Sequence, residues 1–143
     1  MAERSMLQPM VVLIGWTLIV LTWALAVRLP AMKAAGVDLR TLVGSKGSDA
    51  DRVLPPAAQW KAHNYNHLLE QPTLFYAVCL VLAIVGADHP FNLALAWAYV
   101  GFRILHSLVQ TTVNRVSWRF LFFVLSTLSL AALTLHAAIA VFR

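Results

Sequence analysis

Four long apolar runs, separated by shorter polar stretches, give this chain its pattern. The helices that these runs predict cover about residues 8–29, 58–86, 91–112 and 118–142. Each is close to or above the roughly 20 residues that an α-helix needs to cross a bilayer. The polar segment 31–57 contains several glycines and serines and the Pro55-Pro56 pair, and is predicted to be a loop. We therefore predict an all-α membrane protein with one domain over residues 1–143.

The second predicted helix changes character along its length. Its first half, from Lys61 to Glu70, is rich in polar side chains, whereas Thr73 to Ala87 is continuously apolar. Pro72 lies between the halves and is expected to kink the helix, because proline removes one backbone hydrogen bond. Membrane helices tolerate such a kink when neighbouring groups satisfy the freed carbonyl.

The composition supports a membrane class. Hydrophobic residues make up 60% of the chain and charged residues 12%, and the mean hydropathy is +0.73, whereas a soluble domain is about half apolar and a quarter charged. The net charge of +5 does not indicate nucleic-acid binding, because the basic residues lie between the apolar runs and fit contact with lipid head groups. Cys79 is the single cysteine and is expected to be a buried apolar residue rather than a nucleophile.

The basic residues also predict an orientation. One group surrounds the predicted loop and consists of Arg28, Lys33, Arg40, Lys46, Arg52 and Lys61. Arg115 and Arg119 lie at the connection between the third and fourth helices, whereas the other side has Arg4 and Arg143. Cytoplasmic loops carry the excess of lysine and arginine. We therefore expect a multi-pass protein with both connections in the cytoplasm and both termini on the opposite side.

Two predicted helices carry polar stripes in their apolar surroundings. The stripe on the second helix consists of His63, Asn66, His67 and Glu70. The stripe on the third helix consists of Arg103, His106, Ser107, Gln110 and Asn114. Spacings of three, four and seven residues place side chains on one helix face. Because ionisable groups inside a membrane are costly, these faces are expected to point into the bundle or a wet cavity.

The depth of the charged residues predicts which of them meet. At a rise of about 1.5 Å per residue, Glu70 lies about 15 Å, and Arg103 about 18 Å, from the cytoplasmic surface. We expect Glu70 and Arg103 to pair or to share a ligand, since either charge alone would be unfavourable in hydrocarbon. His106 is expected near Glu70 for the same reason.

The same argument predicts a polar cleft that opens to the cytoplasm. Gln110 is expected near Asn66 and His67, with Arg115 and Arg119 at the mouth. A structural interpretation remains open, in which these groups only hold helices together through hydrogen bonds.

A metal site is a weaker alternative. His63, His67, Glu70 and His106 have ligand-like spacing, but nearby Arg103 would repel a cation. No metal is therefore expected. His136 and Asn92 stand alone on their helices and are interpreted as locally satisfied polar residues.

Two segments carry a family resemblance. The stretch from Lys61 to Ala83, KAHNYNHLLEQPTLFYAVCLVLA, resembles the second helix of the MAPEG family, the membrane-associated proteins in eicosanoid and glutathione metabolism. The resemblance to that family's third helix and the start of its fourth rests on Arg103-Ile-Leu-His106, Gln110, Asn114-Arg115 and Arg119. With the four-helix pattern, the resemblance covers nearly the whole chain.

The resemblance implies an antiparallel four-helix bundle that forms a homotrimer in a bacterial inner membrane. It further implies glutathione as co-substrate, bound between protomers near the cytoplasmic face, with a lipophilic second substrate reaching the site from the lipid. Arg119 matches the arginine that stabilises the thiolate. The glutathione contacts that the resemblance implies are Asn66, His67, Glu70, Arg103, His106, Gln110 and Arg115.

The sequence departs from the family pattern at several positions. Gln110 stands where characterised members carry a tyrosine that touches the thiol, and His67 occupies the place of an asparagine three residues before the acid. Pro72 follows the acid more closely than in the mammalian enzymes. An alternative register, aligned on Lys61 and Pro72, would place Leu68 instead of Glu70 at the acid position.

Three hypotheses follow. The leading one is a glutathione-dependent transferase or peroxidase that acts on lipophilic compounds. The alternative is a non-catalytic membrane scaffold or lipid-binding trimer that retains the fold, which the substitution at Gln110 favours. A small transporter or proton relay using Glu70 and the histidines is weaker, because the chain has no internal repeat.

Overall fold

The computed structural model describes residues 3–143, with side chains described from Met6 onward. Its helices are α1 (Glu3–Ala34), α2 (Pro56–Leu68), α3 (Gln71–Ile84), α4 (Pro90–Thr111) and α5 (Val116–Phe142), and a short 3₁₀ helix covers Gly47–Arg52. Residues 3–143 contain no β-strand. The side chain of Arg4, which entered the predicted orientation, lies outside the described residues.

Four helical segments are long and apolar enough to cross a membrane. They are Met6–Ala34, Pro56–Ile84, Pro90–Thr111 and Val116–Phe142. Their outward surfaces keep large apolar side chains exposed, such as Ile84 and Phe142, which is the distribution expected where lipid replaces water as the surrounding solvent. The prediction of an all-helical, multi-pass membrane protein is confirmed.

The second membrane segment is interrupted, not merely kinked. α2 ends at Leu68 and α3 begins at Gln71, with Leu69 and Glu70 between them. In an unbroken helix the ring of Pro72 would clash with the carbonyl of residue 68. The break places Pro72 in the first turn of α3, where a missing N–H costs no helical bond.

The apolar core forms where α1, α3, α4 and α5 meet. Phe75 on α3 stacks on Tyr99 on α4 with ring centroids 4.3 Å apart, and both side chains are fully buried. Leu13 of α1 and Leu133 of α5 belong to the same cluster. Cys79 lies inside it with no exposed surface, so the thiol faces other side chains rather than lipid or solvent.

Candidate functional site

A buried arginine occupies the centre of the polar region. Arg103 is 1% exposed, and its Nε donates to the hydroxyl of Tyr99 at 3.2 Å. Its guanidinium lies 5.6 Å from the ring centres of both Tyr99 and Phe123. The remaining nitrogen, Nη2, is buried without a hydrogen-bond partner among the described residues. A buried cation thus has one donor free, which is a costly arrangement unless an anion completes it.

His67 links this arginine to a carboxylate. Arg103 Nη1 lies 3.2 Å from His67 Nε2, and His67 Nδ1 lies 3.2 Å from Glu70 Oε2. Because the guanidinium only donates and the carboxylate only accepts, His67 accepts at Nε2 and donates at Nδ1. The imidazole therefore bridges the cation and the anion.

Glu70 and Arg103 do not pair directly, so of the two predicted arrangements only a shared ligand stays a prediction. Among the described side chains, the ion pair of Glu70 is with His67, and the Glu70 side chain is 69% exposed. The physical reason is the helix break, since Glu70 has φ −85° and ψ −98° and so leaves the face that it would share with His67 in a continuous helix. The link through His67 replaces the direct contact.

A second polar group lies further along α4, towards the C-terminal end of that helix. His106 packs against His67, with ring centroids 4.7 Å apart and the two rings tilted by 34°. Gln110 Oε1 lies 2.9 Å from Asn64 Nδ2. The predicted contact between Gln110 and Asn66 is wrong, because Asn66 is exposed and lies on the opposite side of α2 from Asn64.

Two participants were missed by the sequence interpretation. Asn64 is fully buried and, with His67 and Gln71, forms an i, i+3, i+7 series that could have revealed the inward face of this segment. Tyr99 precedes Arg103 by one turn, and its hydroxyl lies 3.4 Å from Gln71 Oε1. Both residues form hydrogen bonds with polar side chains of the predicted stripe on the third helix.

Arg119 lies at the start of α5, beside the histidines. Its Nη1 donates to Asn114 Oδ1 at 2.7 Å, and Asn114 adopts a left-handed conformation with φ 50°, which asparagine tolerates better than most residues. The Nε of Arg119 is buried without a partner among the described residues. Arg119 therefore has a fixed guanidinium with one donor still available.

A cavity of about 160 Å³ connects these groups. The residues that line it are His67, His106, Val116, Arg119, Phe120 and Phe123. Arg103 lies behind this wall, in contact with His67 and Phe123. Arg115, predicted at the mouth, is exposed and does not line the cavity. The cavity thus combines cationic donors with aromatic walls.

The other candidate residues lie apart from this cavity. His63 pairs with Asp51 at 2.8 Å on an exposed surface, and His136 Nδ1 lies 2.5 Å from Asn92 Oδ1. Among the side chains described, no three His, Cys, Asp or Glu residues converge closely enough to hold a metal ion. The arrangement favours an anionic ligand over a cation.

These features define a small multi-pass membrane protein with a cationic, aromatic-walled cavity between its helices. A model of the MAPEG family matches residues 6–139. The chain therefore belongs to the MAPEG family, and the resemblance found in its second and third membrane segments is confirmed. No curated protein and no solved structure matches the chain.

Proposed function

We propose that this protein is a membrane enzyme that uses glutathione to conjugate or reduce lipophilic compounds. The observation that carries the proposal is Arg103, a guanidinium that is 1% exposed, forms no ion pair with any described carboxylate and keeps Nη2 unpartnered. An anion bound beside it would supply the missing acceptor. Glutathione carries carboxylates and an ionisable thiol, so its chemistry fits this requirement.

Arg119 is the residue that we assign to the thiol. Its Nε lacks a partner, its guanidinium is held by Asn114, and it lines the cavity. A positioned cation in a water-poor site stabilises a thiolate and so increases the reactive fraction of a thiol. In conjugation, the thiol of bound glutathione would lose its proton, and the thiolate would form a bond to an electrophilic carbon while the bond to the leaving group breaks. In reduction, two glutathione molecules would be oxidised to their disulfide while a hydroperoxide becomes an alcohol and water.

The remaining candidates are assigned to binding. His67 and His106 line the cavity, and Glu70 is reached through His67. Asn66 and Arg115 are exposed in the single chain, so they are assigned to parts of the ligand that extend beyond the cavity. Gln110 acts on the cavity through His106, whose Nε2 lies 3.2 Å from Gln110 Oε1.

The size of the cavity supports a site completed by a neighbour. About 160 Å³ is below the roughly 300–1,000 Å³ of ordinary ligand sites and small for a tripeptide. We propose an antiparallel four-helix bundle that assembles as a homotrimer, in which the next protomer closes the cavity near the cytoplasmic face. A lipophilic second substrate would enter from the surrounding lipid.

The test uses the full-length protein in detergent or lipid nanodiscs. Glutathione should raise the unfolding temperature, and the protein should show thiol-dependent turnover of a lipophilic electrophile or hydroperoxide. Arg119→Ala should remove most of the turnover, whereas Arg52→Ala, at an exposed arginine in the 3₁₀ helix, should leave it unchanged. Wild-type protein with neither turnover nor a glutathione-induced thermal shift would exclude the proposal.

One observation favours a second function, a non-catalytic scaffold or lipid-binding trimer. Gln110 replaces the family's tyrosine and is directed to Asn64 and His106, so it offers no hydroxyl to a thiol. Native mass spectrometry that shows retained lipid, together with unchanged stability and no turnover on adding glutathione, would support the scaffold.

A further inference from the structure

A continuous chain of polar contacts joins α2 to α5 through α4. Asn64 Nδ2 lies 2.9 Å from Gln110 Oε1, and Gln110 Oε1 lies 3.2 Å from His106 Nε2. His106 Nδ1 lies 2.9 Å from the backbone oxygen of Arg119. Ser107 Oγ lies 2.7 Å from Asn64 Oδ1, and this contact holds the Asn64 amide from its other side.

Burial restricts the geometry of these polar contacts. Asn64 and Ser107 have no exposed surface, His106 is 4% exposed and Gln110 is 6% exposed. A buried polar group that loses its partner keeps its full desolvation cost, because water cannot replace the lost bond. The side chains are therefore expected to hold one arrangement rather than several.

The last contact reaches the backbone of the residue assigned to the thiol. A carbonyl oxygen can only accept, so His106 Nδ1 donates to it and fixes the position of Arg119 along the first turn of α5. The Nε2 of the same neutral ring then accepts, so the Gln110 amide turns its NH2 group towards His106. The Asn64 amide turns with it, so that its oxygen accepts from Gln110 and its NH2 group donates to the neighbouring serine hydroxyl. Asn114 fixes the guanidinium separately. Arg119 is thus held at both ends, by His106 at its backbone and by Asn114 at its side chain.

We infer that Asn64 is a positioning residue, which sets Arg119 in the cavity through Gln110 and His106. Asn64 does not line the cavity, so it acts only through the other two side chains. The inference rests on the proposed function for the role of Arg119. It also assigns Gln110 to the positioning of His106, whereas a tyrosine at this place would contact the thiol.

A matched asparagine separates positioning from general stabilisation. Asn92 is 5% exposed, its Nδ2 donates to the oxygen of Ala87 at 2.8 Å, and its Oδ1 contacts His136. It also connects α4 to α5, but about four turns before His106 on α4. Asn64→Leu and Asn92→Leu remove the same groups from similar surroundings and are expected to lower the unfolding temperature by similar amounts.

The first measurement needs no glutathione. Hydrogen exchange of the full-length protein in nanodiscs should be faster over residues 116–123 in Asn64→Leu than in wild type, and unchanged there in Asn92→Leu. Equal exchange in the two variants over this segment would overturn the inference. Because no ligand is present, this result stands whether or not the proposed function is correct.

The second measurement uses glutathione binding. Displacing a catalytic group by about 1 Å can cost roughly a hundredfold, so Asn64→Leu should weaken binding or turnover at least tenfold relative to Asn92→Leu. Gln110→Met breaks the same series of polar contacts at its next residue. It is the test variant to use if Asn64→Leu does not fold. The Asn64→Leu/Gln110→Met double variant should be no worse than either single variant.

Two outcomes are decisive in different ways. Additive losses in the double variant, or equal binding in Asn64→Leu and Asn92→Leu, would overturn the positioning role while leaving the proposed function intact. Absence of glutathione binding in wild type would overturn the proposed function, and the exchange measurement alone would then decide whether Asn64 orders the first turn of α5.

Discussion

Replacing the buried arginine by an apolar side chain of similar length gives the sharpest test of the site. Arg103→Met removes a guanidinium that is 1% exposed and keeps a long unbranched side chain in its place. For an ordinary buried ion pair, removing one partner is strongly destabilising because the other charge stays buried. Here the linked carboxylate, Glu70, has a side chain that is 69% exposed, so no buried anion would be left behind.

The contacts set the size of the expected effect. Arg103 donates to Tyr99 and to His67, each at 3.2 Å, and hydrogen bonds to a charged group contribute about 1.5–3 kcal/mol each. Two ring contacts at 5.6 Å add about 0.5–2 kcal/mol each. Burying a charge costs several kcal/mol and offsets these gains. Without ligand, the free energy of unfolding of Arg103→Met should therefore lie within about 2 kcal/mol of wild type.

The ligand response should separate the two proteins. At a glutathione concentration of about 100 times Kd, wild type should gain about 2.7 kcal/mol, and Arg103→Met should gain little, because the donors for the anion are gone. Thermal unfolding with and without glutathione measures both quantities, with Arg52→Met as the exposed control. A ligand-free loss of about 3–5 kcal/mol, or an undiminished glutathione response, would refute this reasoning.

Three further changes test other parts of the structure. Glu70→Gln should alter the ligand-free unfolding free energy by less than about 1 kcal/mol, because the side chain is largely exposed, and a larger loss in a denaturant titration would contradict that exposure. Gln110→Tyr should lower the free energy of unfolding by about 1–3 kcal/mol, because the larger ring overpacks against Asn64, and it should not raise turnover. A gain in activity would count against the interior role of Gln110. Cys79 has no exposed surface, so maleimide labelling should follow thermal unfolding, and rapid labelling of folded protein would show that the core is open.

The number and type of the membrane helices could be predicted because lipid imposes a simple rule on sequence. Each span must be a long apolar helix, and the four apolar runs follow this rule. The interruption at Leu69 and Glu70 was harder to predict. Pro72 predicts that one backbone hydrogen bond is lost. Whether the helix then bends, or leaves two residues outside regular helix, depends on packing. Here Leu68 and Phe75, on either side of the break, are both buried in the core.

The candidate site could be predicted in part for the same reason. The inward face of α4 is a simple series, so Arg103, His106 and Gln110 were placed correctly beside one another. The inward face of α2 was misjudged by about half a turn, because Asn64 and Asn66 are both polar and periodicity alone did not choose between them. The orientation of Glu70 depends on the helix break, which the spacing of residues does not contain.

The structure offers a physical reason for a histidine at position 67, where the family resemblance implies an asparagine. His67 uses one nitrogen to accept from Arg103 and the other to donate to Glu70. A carboxamide also presents one acceptor and one donor group, so asparagine can make the same two bonds, whereas leucine can make neither. We therefore expect His67→Asn to retain glutathione binding within about tenfold of wild type.

His67→Leu is expected to lose more affinity for glutathione, because this change leaves a second nitrogen of the buried Arg103 without a partner. A lost bond to a charged group costs about 1.5–3 kcal/mol, which corresponds to roughly a tenfold to hundredfold loss of affinity. Titration calorimetry of both variants in detergent measures the difference. Equal losses in His67→Asn and His67→Leu would mean that the ring itself, through its packing against His106, matters more than the bridge between Arg103 and Glu70.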